Sequence, residues 1–154
     1  MIAQTPSVNS CQPGTNCYCI TLFTHGRRAL LAGGSADGGT RLPMSTGNGV
    51  AAVWLALSRE QPQLITEAFY LMPSSICVLV RVKGETGDTA ALRLLHSAIR
   101  RFKDETTRQY NSGSAQDYRS RLWQTAFGCE PVDTSAQHAK LERQMAAQGA
   151  YRAM

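Results

Sequence analysis

The chain has 154 residues, with 16 Lys and Arg against 11 Asp and Glu, for a formal net charge of +5. That length suffices for one domain with its own core and no disulfide or metal staples, and a pI near 9.2 favours a polyanionic partner without demanding one. No window approaches the roughly 18 uninterrupted apolar residues of a membrane span, and the N-terminus lacks the basic, apolar, small-residue order of a secretion signal. The expectation is a soluble, cytoplasmic protein with no membrane role.

Residues 1–16 hold Pro6, Pro13 and Gly14 among small polar side chains, too little apolar surface to order a segment alone. They read as a flexible tail ahead of a single domain over 17–154. The segment CYCITLFTHG (17–26) is rich in Tyr, Ile, Thr and Phe and stops at a glycine, the pattern of a first strand. Arg27 and Arg28 then open a stretch to Pro43 with four glycines, too many for a regular element.

From Gly49 onward Val50, Val53, Trp54 and Leu57 recur at helical spacing and stop before Pro62, which predicts a helix over about 47–60. The segment 64–84 reads as two strands joined at Pro73-Ser74-Ser75, hence a hairpin. On its second strand Ile76, Val78, Val80 and Val82 face one way, and Ser75, Cys77, Leu79, Arg81 and Lys83 the other. A long helix runs from Asp88, as N-cap, to Asn111, with Ala91, Leu94, Leu95, Ala98, Ile99 and Phe102 as its apolar stripe. Opposite them stand Arg93, Arg100, Arg101 and Arg108, diluted by Asp104, a face that suits solvent and a polyanion equally. After a polar loop, RLWQTAF (121–127) reads as a last strand and 134–154 as a closing helix. This order predicts an α+β fold: a ferredoxin-like antiparallel sheet with helices packed on one face, plus a C-terminal helix.

The five cysteines, Cys11, Cys17, Cys19, Cys77 and Cys129, are odd in number and form no CxxC pair, so they read as reduced. Cys17 and Cys19 share one side of a strand; buried thiols are weighed there above a two-cysteine metal contribution. His25, His96 and His138 fall in different elements and read as surface or hydrogen-bonded residues, and Tyr110, Tyr118 and Tyr151 as packing groups. The chain contains no GxxxxGK[ST], HExxH or GxSxG motif.

Four segments in order, CYCITLFTHGRRALLAG (17–33), AFYLMPSSICVLV (68–80), HSAIRRFKDETTRQYN (96–111) and RLWQTAF (121–127), resemble the REP-associated tyrosine transposases, a branch of the single-tyrosine HUH family. The segment LERQMAAQGAYRA (141–153) is similar to that family's last helix. Family members that cut DNA place two histidines, one residue apart, on one strand face to hold a divalent metal, and a tyrosine attacks the phosphate. Here the histidine positions read Ser75 and Cys77, the nucleophile position Met145, and the third ligand position Gly149 or Gln148.

The resemblance therefore implies a degenerate transposase that has lost catalysis, with no metal, no cofactor and no enzyme activity. It implies binding of single-stranded or hairpin DNA, and a homodimer. The residues expected at DNA are Arg27, Arg28, Arg81, Lys83, Arg100, Arg101, Lys103, Arg108, Arg119 and Arg121. Trp123 joins them as a residue that could stack on a base, although a core tryptophan is the weightier reading. The alternative class is a protein-interaction module that reuses the fold; a third reading makes Cys77 a nucleophile.

Overall fold

In the computed structural model, residues 17–34, 40–83, 88–112, 121–132 and 134–154 are described. The expected tail, Cys11, Tyr118 and Arg119 lie outside them. The strands are β1 (Cys17–Phe23), β2 (Ala32–Gly33), β3 (Leu42–Pro43), β4 (Leu64–Leu71), β5 (Ser75–Val82), β6 (Gly128–Pro131) and β7 (Tyr151–Arg152), and the helices are α1 (Ser45–Glu60), α2 (Asp88–Ser112) and α3 (Ser135–Ala147). Five strands form one sheet in the order β6-β1-β5-β4-β7, every neighbouring pair antiparallel. Four of these strands with α1 and α2 give the ferredoxin-like arrangement, and β2 and β3 add a small separate pair.

Strand alternation sorts the sheet into two faces. Ile20, Leu22, Phe69, Leu71, Ile76, Val78 and Val80 point into a core closed by Val50, Val53, Trp54 and Leu57 of α1 and by Ala91, Leu95, Ile99 and Phe102 of α2. The aromatic rings meet there: Trp54 lies 5.4 Å from Phe102 and 6.3 Å from Phe69, and Phe102 lies 5.8 Å from Trp123. Both buried indoles are satisfied, Trp54 Nε1 donating to Thr66 Oγ1 and Trp123 Nε1 to Thr106 Oγ1, each at 2.8 Å. The first turn of α1 reaches this core by close backbone contact: a Cβ on Gly47 would lie 2.0 Å from the Leu31 carbonyl oxygen. That carbonyl also accepts from the Met44 N–H at 2.9 Å.

The other face is covered by α3. A capping box starts the helix, with Thr134 Oγ1 accepting from the Gln137 N–H at 3.1 Å and Gln137 Oε1 from the Thr134 N–H at 3.0 Å. Leu141 and Met145 then pack on Cys17, Ala68, Tyr70, Cys77, Leu79, Val132 and Ala150.

Three expectations are corrected. The segment 121–127 is no strand: only a single bridge joins Trp123 to Thr24, and the sheet resumes at β6. The closing helix stops short of 154, because Gly149 at φ +70° takes the left-handed conformation that ends a helix, and the chain turns back as β7 along β4. Cys17 is disulfide-bonded, whereas Cys19, Cys77 and Cys129 are free thiols. No helix among the described residues is long and apolar enough to cross a membrane.

Candidate functional site

The hairpin and α3 bring two of the four positions singled out by resemblance, Cys77 and Met145, together. Cys77 stands opposite Thr21 on β1 and Tyr70 on β4; it is 4% exposed and belongs to the apolar cluster on which Met145 packs. Ser75, half-buried, opens β5 opposite Phe23. One hydroxyl and one buried thiol do not make a ligand set for a divalent cation: hard ions take several oxygen donors, and borderline ions take imidazole or thiolate in sets of three or four. Among the described residues no three His, Cys, Asp or Glu side chains gather to hold a metal ion.

Cys77 has a sulfur neighbour instead. Its Sγ lies 3.3 Å from Cys19 Sγ. The hydrogen bond from Cys77 holds the Cys19 thiol below the usual range against the opposing effect of burial. The same bond, followed by burial, pushes the Cys77 thiol up. The tyrosine facing this cluster is Tyr70, a residue the sequence reading passed over although it follows directly from pairing across the hairpin. It is 5% exposed, and burial raises its phenol above the ordinary value, the wrong direction for a nucleophile. Tyr151 packs against the helical core on the opposite face, and the Tyr110 hydroxyl accepts from Arg28 at 3.3 Å.

The basic residues separate into three groups. One gathers at the rim where β1 ends and β5 begins. Arg27, at φ +52°, lays its guanidinium 4.2 Å from the centre of the Phe23 ring. Arg28 donates to the carbonyls of His25 at 3.0 Å and Arg121 at 2.7 Å. Lys103 Nζ donates to the carbonyls of Gln124 at 2.8 Å and Thr125 at 3.0 Å. Burial first, then the Arg121 charge, holds this amine below the ordinary lysine value. Arg121 is exposed and donates to Thr125 Oγ1 at 3.1 Å. A cleft of about 310 Å³ opens here, lined by Lys103, Thr107, Arg121 and Gln124 and by the acidic Asp104.

Arg81 and Lys83 sit at the opposite end of β5, about 20 Å away by strand rise, and Arg81 is paired with Glu67 at 3.2 Å. The third group lies on α2. Arg101 pairs with Glu60 at 2.9 Å and Arg108 with Glu105, while Arg93 and Arg100 are exposed. The Arg108 hydrogen bond, then that of Gln109, holds the Glu105 carboxyl below its usual value. The larger hollow between α1 and α2, about 620 Å³, sets Glu60, Asp104 and Glu105 against Arg101 and Arg108, so its charge does not favour a polyanion.

Trp123 is corrected. At 2% exposure, bonded to Thr106 and packed on Phe102, it offers no ring face to a base; the bridge to Thr24 draws it into the core. The sequence reading also passed over Arg152, which β7 places 5.7 Å from the Tyr70 ring and 3.7 Å from Glu142.

No protein-family model matches the chain, and no curated protein does. Solved structures do. A REP-associated tyrosine transposase bound to a REP hairpin superposes with a TM-score of 0.55 at 13% identity, over 92% of this chain and 68% of the other. A candidate transposase from Deinococcus radiodurans R1 superposes with a TM-score of 0.54 at 13% identity, over 96% and 98%. The chain has a transposase-like fold.

Proposed function

We propose that the chain is a DNA-binding protein on a transposase-like fold that recognises single-stranded or hairpin DNA and does not cut it. One juxtaposition carries this reading. Arg27, Arg28, Lys103 and Arg121 gather beside the start of β5, while positions 77 and 145 on the same strand face and its covering helix are a buried thiol and a thioether. Neither position supplies an imidazole or a phenol, so backbone phosphates can be held at the rim without being attacked. A homodimer belongs to the same reading, and the mass of the native protein in solution tests it.

Fluorescence anisotropy with hairpin, unstructured single-stranded and duplex DNA, at low and high salt, tests the binding. The expected result is preference for the hairpin, with affinity falling steeply as salt rises because counterions are released. Arg27→Ala and Arg121→Ala should each weaken binding and lower the salt slope by about one unit. Arg28 is unsuited to this test because its guanidinium ties three segments together. Absence of binding to every DNA at low salt would sink the reading and turn the search to protein partners. A nick, or a covalent protein–DNA adduct with magnesium or manganese present, would overturn its inactive half.

A further inference from the structure

We propose that Cys19 and Cys77 form a redox-active dithiol, a modification site that small disulfides of the glutathione disulfide class convert to an intramolecular bond between β1 and β5. The geometry is specific to this pair. Cys19 stands opposite Leu79 and Cys77 opposite Thr21, so the two cysteines are diagonal neighbours on one face of the sheet. Their sulfurs are 3.3 Å apart; a bond of about 2.05 Å requires them to close by roughly 1 Å, and because diagonal neighbours sit about 7–8 Å apart the two strands must also draw together slightly.

The third free thiol, Cys129, is paired with Ile20 and packs against the helical core. It therefore lies on the other face from the pair. Cys19 is half-buried and Cys77 only 4% exposed, which makes Cys19 the sulfur that meets an oxidant and Cys77 the sulfur that resolves the product. The lowered thiol of Cys19 agrees with that division of roles.

The chemistry balances. The Cys19 thiolate attacks one sulfur of the small disulfide, breaking its S–S bond, forming a mixed disulfide and expelling one thiolate. Cys77 then loses its proton to solvent and attacks Cys19 Sγ, expelling the second thiolate. The two protein thiols together lose two electrons and two protons, and the small disulfide is reduced to two thiols.

The full-length native chain, treated with glutathione disulfide, alkylated and mapped by peptide mass spectrometry, tests this. The alkylatable thiols among Cys19, Cys77 and Cys129 should fall from three to one, the survivor being Cys129, with a new link joining the Cys19 and Cys77 peptides. In Cys77→Ser the reaction should stop at a glutathione adduct on Cys19. In Cys19→Ser no glutathione adduct should form at Cys77, which is buried. Three thiols still alkylated, a link through Cys129 or Cys17, or a Cys77→Ser protein without an adduct at Cys19 would each overturn the proposal. None of these readouts depends on DNA binding.

Discussion

The two faces of the central sheet are built differently. Toward α1 and α2 the core is layered with Trp54, Phe69, Phe102 and Trp123, and α1 alone buries Gly47, Val50, Val53, Trp54 and Leu57. Toward α3 the cluster has one buried aromatic ring, Tyr70, among smaller side chains and sulfur, and α3 contributes no fully buried residue. Stability is thus concentrated on one face, while Cys77 and Met145, two of the positions the sequence resemblance singles out, lie on the other. A face held by few deep contacts tolerates changes of residue type that would be ruinous across the sheet, since destabilisation follows the volume removed from a packed interior.

Phe102→Ala is the strongest test of this contrast. The ring is fully buried between Trp54 and Trp123, and its loss should cost about 3–5 kcal/mol in denaturant unfolding. Gly47→Ala comes next, because the added methyl meets the Leu31 backbone rather than a movable side chain. It should cost about 1–3 kcal/mol. Two residues along the same helix, Gly49 has nothing within 4 Å of its Cβ direction, so Gly49→Ala should instead stabilise by about 0.5–1 kcal/mol. If both alanine variants lose stability alike, close approach at Gly47 is not the cause. On the α3 face Met145→Ala should cost only about 1 kcal/mol, below the range for fully buried methionines, because Met145 is partly exposed. A loss equal to that of Phe102→Ala would erase the distinction between the faces.

Much of this was legible where periodicity and punctuation agree. The alternation of β5, the helical spacing of Val50, Val53, Trp54 and Leu57, and the stripe from Ala91 to Phe102 all settle where burial demands. Local pattern misled at 121–127, where Leu122 and Trp123 are apolar because they plug the core, not because they extend the sheet. The real edge strand contains Gly128 and Pro131, residues poor in strand propensity that an edge tolerates. The helix end at Gly149 carried a readable glycine signal that the apolar run around it concealed. For the site, sequence alone could nominate cations but not divide them. The ion pairs of Arg81, Arg101 and Arg108 and the rim around Arg121 depend on contacts between residues far apart in the chain, except Arg108, whose partner Glu105 is one helical turn away.

The finest test concerns Lys103, at the margin of the helical face where packing gives way to the charged rim. Its amine donates to two backbone carbonyls and lies 5.8 Å from the Phe127 ring. Burial and the nearby Arg121 charge hold its folded pKa below the ordinary 10.5. Between those two values the unfolded chain binds more protons than the folded one, so stability rises with pH across that window. Below the folded pKa the penalty of keeping this charge half-buried is present in full. Lys103→Met removes the titration, so urea unfolding of the variant should show a flatter rise on approach to pH 10.5 than the native chain. Arg121→Met should lessen the slope without abolishing it, because burial is the larger cause. Identical slopes for the native chain and Lys103→Met would mean that this amine is as free at the rim as in the unfolded chain, and the boundary between the dry face and the basic rim would have to be drawn further in.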